Sequence, residues 1–233
     1  MNFAPFTVLT FDCYGTLIDW EAGILAGLRS VLDPRGRHPP DDELLGLFAE
    51  IEAPIQYGEF RRYRDVLDLT MEALARRLGF EPTSPERAAI SASLPAWRPF
   101  PDTVAALARL KTRYQLGVIS NVDDDLFAAS ARQLGVTFDW VVTAQQVRSY
   151  KPSLNNFDRA LERIGRPRSE ILHCAQSLFH DVGPARSLGF STVWVDRRAG
   201  RPGTGATPAS TAEPDLTVPD LATLAALAVG VGS

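Results

Sequence analysis

Short apolar runs alternate with amphipathic stretches through the second half of the chain, and this alternation restricts the fold more than any other feature. The runs lie at residues 116–119, 140–142, 171–174 and 192–195, and each is apolar enough to form a buried strand. Neighbouring parallel strands need a long connection, usually a helix, because a tight turn joins only antiparallel strands. The alternation therefore predicts an α/β fold built on a doubly wound parallel sheet.

Helical patterns fill the intervals between these runs and continue towards the end of the chain. They cover residues 102–114, 123–134, 153–164, 182–188 and 220–228. Asp102 and Ser153 stand where the N-caps of two of these helices are expected. Residues 199–214 are rich in Gly, Pro, Thr and Ala, a composition that is typical of a loop.

A further apolar strand is expected at residues 6–11, but a long helical segment separates it from the others. Residues from about 20 to 94 contain no convincing buried strand. Apolar side chains recur there at helical spacing on two stripes, which consist of Leu44, Phe48 and Ile51 and of Phe60, Tyr63, Leu67, Met71, Leu74 and Leu78. We therefore expect a core domain of residues 1–18 and 95–233, with a helical cap domain of residues 19–94 inserted after the first strand.

Composition and charge exclude several classes of protein. Of the 233 residues 45% are hydrophobic, and the net charge of −4 arises from interspersed charges without a basic stripe. We therefore expect a small-molecule substrate, with neither nucleic acid nor a membrane as partner. The start of the chain has no basic segment and no long apolar run, so the expected location is the cytoplasm. Cys13 and Cys174 fall on or beside expected strands, which favours buried, reduced thiols.

Asp12 is the strongest candidate for a catalytic nucleophile. It follows the expected strand at residues 6–11 and directly precedes the turn in the segment FDCYGTLIDW. Parallel sheets bind their ligands at the carboxyl ends of the strands. Tyr14 stands two residues further on. Its hydroxyl, with a pKa near 10, is a poor proton donor at neutral pH, whereas an aspartic acid there would protonate a leaving oxygen.

Polar side chains also follow the other expected strands, at the same edge of the sheet. They are Ser120, Asn121, Lys151, Ser177, His180 and Asp181. Taken singly, each has an ordinary structural explanation, as a helix cap or a solvated lysine. Together with Asp12 they predict a ligand site at the carboxyl edge of the sheet.

Four segments make the sequence similar to the haloacid dehalogenase (HAD) superfamily. They are FDCYGTL, ISN, YKP and AQSLFHD, in the family's order and over nearly the whole chain. The helical segment falls where that family inserts its cap, so the resemblance implies a HAD-like Rossmannoid core. Phosphatases of the superfamily typically carry a second aspartate two residues after the nucleophile. This chain has Tyr14 there and resembles the type II L-2-haloacid dehalogenases, many of whose relatives form homodimers.

The residues themselves also favour attack on carbon over attack on phosphorus. A halide leaves carbon as a weakly basic anion, whereas a phosphate monoester releases an alkoxide and needs both an acid and a metal. Tyr14 occupies the position of that acid, and the next acidic residue after Asp181 is Asp196, too far along for a tight Mg²⁺ cluster. We therefore expect a hydrolase of a carbon–halogen bond in a small 2-haloacid, without a metal or another cofactor.

The expected reaction has two steps. Ionised Asp12 attacks the substrate carbon in line and forms an aspartyl ester. Water that is positioned by Asp181, with help from Ser177, then attacks the carbonyl carbon of this ester and restores the enzyme.

Other residues are expected to hold the nucleophile and the substrate. Lys151 orients Asp12 and offsets its charge, while Thr16 and Ser120 donate hydrogen bonds to the Asp12 carboxylate or to the carboxylate of the substrate. By similarity to the family, Tyr14 and Trp20 line the apolar side of the pocket. The expected substrate contacts are Cys13, through its backbone N–H, Tyr14, Trp20, Asn121 and His180.

The helical segment departs from the pattern of L-2-haloacid dehalogenases. Those enzymes usually carry an arginine in the first cap helix that holds the halide or the carboxylate. Residues 49–56 contain no arginine, and their only charged side chains are Glu50 and Glu52. The candidates to replace the missing arginine are Arg61, Arg62 and Arg64.

Further departures leave other substrates open. Phe157 stands where the family has a tyrosine, and Ser177 and His180 stand where it tends to have a Ser-Asn pair. His180 is a candidate proton donor to an amine leaving group, so ring opening of an azetidine-2-carboxylate-type compound is one alternative. A Mg²⁺-dependent phosphatase is the other.

Overall fold

The computed structural model describes residues 1–201, 203 and 205–230, and at its centre lies a six-stranded sheet. The strands are β1 (Val8–Phe11), β2 (Gln115–Ser120), β3 (Trp140–Thr143), β4 (Ile171–Ala175), β5 (Ser191–Val195) and β6 (Leu216–Val218). All neighbours are parallel, in the order β3-β2-β1-β4-β5-β6. The predicted α/β class with a doubly wound parallel sheet is confirmed.

Helices account for most of the remaining described residues. They are α1 (Trp20–Leu32), α2 (Asp41–Gln56), α3 (Tyr63–Arg77), α4 (Ser84–Arg87), α5 (Ala89–Ser93), α6 (Thr103–Lys111), α7 (Asp124–Leu134), α8 (Ala144–Val147), α9 (Asn155–Ile164), α10 (Gly183–Ser187) and α11 (Leu221–Val229). Helices α1 to α5 lie between β1 and α6, and we call this segment the helical insertion. The division into a core of residues 1–18 and 95–233 and a cap of residues 19–94 stays a prediction. No helix of the described residues is long and apolar enough to cross a membrane.

Strand β1 lies in the middle of the sheet and all four of its residues are buried. Phe11 is in register with Val118 of β2 on one side and with Cys174 of β4 on the other. A strand that is covered on both faces needs apolar side chains at most positions, which explains its continuous apolar run. Strands β2 and β3 lie on one side of β1, and strands β4, β5 and β6 lie on the other. The carboxyl ends of β1 and β4 therefore form a topological switch point, where such sheets bind ligands.

Two elements differ from the sequence prediction. Strand β6 pairs with β5 at the edge of the sheet, although no strand was expected after residue 195. Its three residues are too few to show a periodic pattern, and they are identified as a strand only by their hydrogen-bonded pairing with β5. The helix predicted at residues 182–188 begins earlier, as a π-helical turn (Leu178–Val182) that continues into α10.

Asp102 is the N-cap residue of α6, as predicted, but its carboxylate caps a different helix. Its carboxylate makes no cap hydrogen bond within α6. It accepts hydrogen bonds from the backbone N–H groups of Leu221 (2.8 Å) and Ala222 (3.2 Å) in the first turn of α11, and it pairs with Arg197 at 2.7 Å. A carboxylate can satisfy the free N–H groups of any helix start within its reach, so tertiary packing decides which helix it caps.

Candidate active site

The candidate site lies where the carboxyl ends of β1, β2 and β4 meet. Asp12 directly follows β1, Ser120 is the last residue of β2, and Asp181 lies on the π-helical turn after β4. Lys151 comes from the connection between α8 and α9 and reaches the same place. The structure therefore brings together, at one edge of the sheet, side chains that are far apart in sequence.

Lys151 connects the two carboxylates. Its ammonium group donates hydrogen bonds to Asp12 Oδ1 (2.9 Å), Asp181 Oδ1 (2.5 Å) and the carbonyl oxygen of Ile119 (2.7 Å). An ammonium has three N–H donors, so all of them are used. Because Lys151 is only 1% exposed, its charge acts on the two aspartates with little screening by solvent. Lys151 thus holds Asp12 by a hydrogen bond and has no N–H group left for a substrate.

The turn after Asp12 supplies a second hydrogen bond to the nucleophile. Thr16 Oγ1 donates to Asp12 Oδ2 at 2.9 Å and accepts from the backbone N–H of Gln176 at 2.9 Å. Gly15 permits this turn, because its φ of +94° is unfavourable for other residues and a Cβ atom there would lie 2.8 Å from Trp20 Nε1. Both oxygens of Asp12 are therefore held by named donors.

The two carboxylates that share Lys151 differ in acidity. Burial raises the pKa of Asp12 above its usual value, and the charge of Asp181 adds to this, although Lys151 opposes it. Burial also acts to raise the pKa of Asp181, but the Lys151 charge and the hydrogen bond from His173 outweigh it, and the pKa is lowered. As the pH falls, Asp12 takes up a proton before Asp181 does.

His173 is a residue of the site that the sequence analysis missed. It lies fully buried in β4, with Nε2 3.0 Å from Asp181 Oδ1 and Nδ1 3.0 Å from Thr10 Oγ1. A carboxylate only accepts, so Nε2 of His173 donates to Asp181, and the Thr10 hydroxyl is the partner of Nδ1. Phe157 packs edge-on against the imidazole at a centroid distance of 5.2 Å. One polar residue inside the apolar strand ILHCA was the signal, because a buried polar group requires a partner.

A small cavity of about 40 Å³ lies above Asp12 and Lys151. The predicted residues that line it are Asp12, Tyr14, Trp20, Ser120, Asn121, Lys151, Ser177, His180 and Asp181. Thr16 lies behind Asp12, and the Cys13 side chain is buried in the apolar core. Both cysteines are buried and unpaired, as predicted. A larger cavity of about 390 Å³ adjoins the small one and shares Gln56, Lys151 and His180 with it.

Two aromatic side chains form part of the cavity wall. The Tyr14 hydroxyl is 2.8 Å from Ser130 Oγ, and its ring lies edge-on to Trp97 at 5.9 Å. Burial raises the pKa of Tyr14 well above its usual value, so this hydroxyl does not release a proton at neutral pH. Trp20 lines the cavity and also packs edge-on against Phe48 of α2 at 6.3 Å. It therefore combines the pocket and packing roles.

Ser120 and Asn121 differ in their partners. Asn121 Nδ2 donates to the carbonyl oxygen of Lys151 at 3.0 Å, and Asn121 Oδ1 accepts from the backbone N–H of Lys151 at 2.7 Å. The amide thus clamps the lysine backbone. Ser120 Oγ is buried and has no hydrogen-bond partner among the described residues. Buried polar groups normally have a hydrogen-bond partner, and a substrate that enters the cavity can provide one for this hydroxyl.

Ser177 and His180 interact with each other at the cavity wall. Ser177 Oγ accepts a hydrogen bond from the backbone N–H of His180 at 2.8 Å and lies 3.1 Å from its Nδ1. Burial lowers the pKa of His180 to about 4, and Asp181 opposes this only in part. The imidazole is therefore neutral at neutral pH and does not supply the proton that an amine leaving group would need.

The helical insertion contributes a glutamate to the cavity. Glu52 of α2 lines it, together with Gln56 and with Tyr63 of α3, whereas Arg61, Arg62 and Arg64 are absent from its described lining. Arg64 instead pairs with Asp125 at 2.7 Å, and Arg61 lines a separate cavity. The expected replacement for the missing arginine is thus not found there.

A sequence signal for the burial of Glu52 existed. It follows Leu44 and Phe48 at intervals of four residues, which places it on the same face of the helix.

The described residues contain no group of three or more His, Cys, Asp or Glu side chains that is arranged to hold a metal ion. Mg²⁺ requires near-octahedral oxygen ligands. Asp12 and Asp181 both direct an oxygen at the Lys151 ammonium instead. This donor set does not fit the magnesium site of a phosphatase.

Comparison with known proteins agrees with the fold and with the motifs. The family model of haloacid dehalogenase-like hydrolases matches residues 6–188, which is most of the chain. The chain therefore belongs to the haloacid dehalogenase-like hydrolases, as the four sequence motifs predicted.

Several relatives have dehalogenase activity by name. The (S)-2-haloacid dehalogenase 4A of Burkholderia cepacia is 25% identical over 198 residues, which are 82% of this chain and 84% of that protein. An (S)-2-haloacid dehalogenase of Pseudomonas sp. (strain YL) is 27% identical over 199 residues, 81% of this chain and 82% of that protein. The solved L-2-haloacid dehalogenase of Xanthobacter autotrophicus matches in fold, with a TM-score of 0.80, 24% identity, and coverage of 97% of this chain and 100% of that one.

Proposed function

We propose that the protein hydrolyses the carbon–halogen bond of a small 2-haloacid through an ester of Asp12. The observation that carries the proposal is the buried Lys151 ammonium, which holds both Asp12 and Asp181 at the wall of a small cavity. The relatives named (S)-2-haloacid dehalogenase support the choice of bond.

In the first step an ionised oxygen of Asp12 attacks the carbon that bears the halogen, and the halide leaves with the bonding electrons. The hydrogen bonds from Lys151 and Thr16 fix the direction of the carboxylate. The unpartnered hydroxyl of Ser120 is available to bind the carboxylate of the substrate. Asp12 is only 7% exposed, so little water reaches the nucleophile, which is weak when it is fully hydrated.

In the second step water attacks the carbonyl carbon of the Asp12 ester. Asp181 accepts the proton from this water, because its lowered pKa keeps it ionised and His173 and Lys151 hold it in place. Cleavage of the ester releases the 2-hydroxy acid, whose oxygen takes up the proton held by Asp181. The Asp12 carboxyl group then loses its proton to solvent, which restores the carboxylate.

A phosphatase is disfavoured by two features of the site. Tyr14 stands at the position of the acid that would protonate a leaving alkoxide, and its hydroxyl is engaged with Ser130. The carboxylates of Asp12 and Asp181 are paired with Lys151 and do not form a set of magnesium ligands.

The test compares three substrates with one protein. We expect halide release from L-2-chloropropionate, equal in Mg²⁺ and in EDTA, and none from Asp12→Asn. Azetidine-2-carboxylate and p-nitrophenyl phosphate serve as the alternatives. Phosphate release that depends on Mg²⁺, without halide release, would overturn the proposal. A single turnover of excess enzyme in ¹⁸O water checks the ester, since the label should enter Asp12 before it enters the product.

The cytoplasmic location and the homodimer predicted from the sequence belong to the same proposal. Cys13 and Cys174 are buried and unpaired, which suits a reducing compartment. Light scattering of the purified protein measures the oligomeric state, and a monomeric mass would contradict the dimer.

A further inference from the structure

Glu52 is a buried carboxyl group of the cavity that the proposed mechanism does not use. It is 4% exposed and lines the same cavity as Asp12. Asp12 enters the cavity from the end of β1, whereas Glu52 enters it from α2 in the helical insertion. Burial of an acid is costly, so its presence in so small a cavity calls for a partner or a function.

The partners of Glu52 are neutral. Gln56, one turn later on α2, donates a hydrogen bond to Glu52 Oε1, and Tyr63 of α3 provides a second side-chain hydrogen bond. Burial raises the pKa of Glu52 to about 7, which these two hydrogen bonds oppose only in part. No arginine or lysine of the described residues forms an ion pair with it. Glu52 is therefore protonated below about pH 7.

The other titratable groups near Glu52 do not supply a proton at neutral pH. They are Tyr63 of α3, Tyr150 before α9, and Asp12, Tyr14, Lys151, His180 and Asp181 around the cavity. Burial raises the pKa values of the three tyrosines, and the N–H groups of Lys151 are all engaged. His180 is neutral, with its pKa lowered by burial.

We propose that Glu52, which lines the cavity with Asp12, is a catalytic residue whose carboxyl group donates a hydrogen bond to the departing halide, and that the enzyme accordingly accepts 2-fluoro acids. The inference rests on the proposed carbon–halogen chemistry and specifies the halogen. In-line displacement expels the leaving group away from Asp12, and Glu52 approaches the cavity from the insertion and not from the strand that carries Asp12. Fluoride is the most basic halide and the strongest hydrogen-bond acceptor among them, so it benefits most from such a donor.

The step is balanced without a co-reactant. A bond forms between an Asp12 carboxylate oxygen and the substrate carbon while the carbon–fluorine bond breaks. Fluoride leaves with the bonding electron pair, hydrogen-bonded to the Glu52 carboxyl group, which keeps its proton. Water then hydrolyses the ester as in the proposed mechanism.

The proton of Glu52 gives this donor a distinct pH dependence. The donor is present at acidic pH and is lost as the pH rises through about 7. Fluoride release should fall over that interval, because ionised Glu52 repels the departing anion. Bromide is a far weaker base, and its release should change much less.

The experiment measures kcat/KM for fluoroacetate and bromoacetate between about pH 6 and pH 9. The variants are Glu52→Gln, which keeps the shape but does not titrate, and Glu52→Ala, which removes the donor. Glu50→Gln, on an exposed position of the same helix, is the matched control. We expect wild-type fluoride release to fall above about pH 7, this fall to disappear in Glu52→Gln, and Glu52→Ala to lower fluoride release about tenfold more than bromide release.

The outcomes separate this inference from the proposed function. An unchanged pH fall in Glu52→Gln, or equal losses for both halides in Glu52→Ala, overturns the role of Glu52 while bromide release upholds the dehalogenase. Release of bromide without any fluoride likewise overturns the inference alone. Failure of the wild-type protein to release any halide overturns the proposed function itself.

Discussion

On the sheet side of the cavity, the buried charges are paired with each other, whereas on the insertion side the Glu52 carboxyl faces only neutral partners. Asp12 and Asp181 share the Lys151 ammonium at hydrogen-bond distance. Glu52 has Gln56 and Tyr63. A paired charge keeps its ionised form when it is buried, but an unpaired acid takes up a proton instead.

The difference separates two tasks of the active site. The sheet side carries the motifs of the family, and its ionised groups are suited to the attack on carbon and to ester hydrolysis. The insertion side departs from the family pattern, because Glu52 lines the cavity and no arginine is among its described lining. We expect loss of the paired charges on the sheet side to abolish the reaction, and changes to Glu52 on the insertion side to alter its pH dependence and its preferred halide.

Removal of Lys151 should have the largest effect, since it would break the charge pairing of the sheet side. Lys151→Met leaves two buried carboxylates without a cation, and we expect the free energy of unfolding to fall by about 3–5 kcal/mol and halide release to be lost. Urea unfolding and a halide assay measure both. Lys111→Met is the control, because the Lys111–Asp139 pair is about one-third exposed and should contribute at most about 1 kcal/mol. If both variants lost the same free energy of unfolding, the buried charge pairing around Lys151 would be no more important than an exposed ion pair.

Glu52→Gln tests the unpaired acid of the insertion side through stability. The pKa of Glu52 is about 7 in the folded protein and near the usual 4.5 in the unfolded chain. The folded state therefore binds more protons between these values, and stability falls as the pH rises from about 4.5 to about 7. We expect the variant to lack this fall and to exceed the wild type by up to about 3 kcal/mol at pH 8.

Urea unfolding at pH 5 and at pH 8 measures this difference. If the stabilities of the wild type and of Glu52→Gln change equally between pH 5 and pH 8, then Glu52 has an ordinary pKa. The insertion side of the cavity would then carry an ionised carboxylate, as the sheet side does, and the contrast between the two sides would be wrong.

Ser120→Ala should have the smallest effect on stability. The Ser120 hydroxyl has no hydrogen-bond partner among the described residues, so we expect the free energy of unfolding to change by less than about 0.5 kcal/mol. KM for a 2-haloacid should rise about tenfold, because the substrate carboxylate loses a hydrogen bond. Ser130→Ala is the control, since it breaks the hydrogen bond to Tyr14 and should cost about 1 kcal/mol. An unchanged KM in Ser120→Ala would exclude Ser120 from substrate binding.

The sequence analysis identified the sheet side better than the insertion side. Asp12, Ser120 and Asp181 follow strands at the edge where parallel sheets bind ligands, so their position in the chain also indicated their position in space. His173 lies inside a strand and was missed, because only the contact with Asp181 reveals its part in the site. Glu52 was noted as a charge where an arginine was expected, but its raised pKa depends on the packing of α2 and α3 over the cavity.

The sequence by itself determined the parallel sheet, the place of the helical insertion, the family and the identity of the candidate nucleophile. These follow from local patterns, because apolar periodicity and short motifs need no knowledge of distant contacts. Only the tertiary structure decided that the Asp102 carboxylate caps α11, that Asn121 clamps the backbone of Lys151, and that burial raises the pKa of Glu52 in the cavity that Asp12 also lines. Hydrogen-bond partners and pKa values depend on burial and on groups brought together from distant parts of the chain, which a linear pattern does not encode.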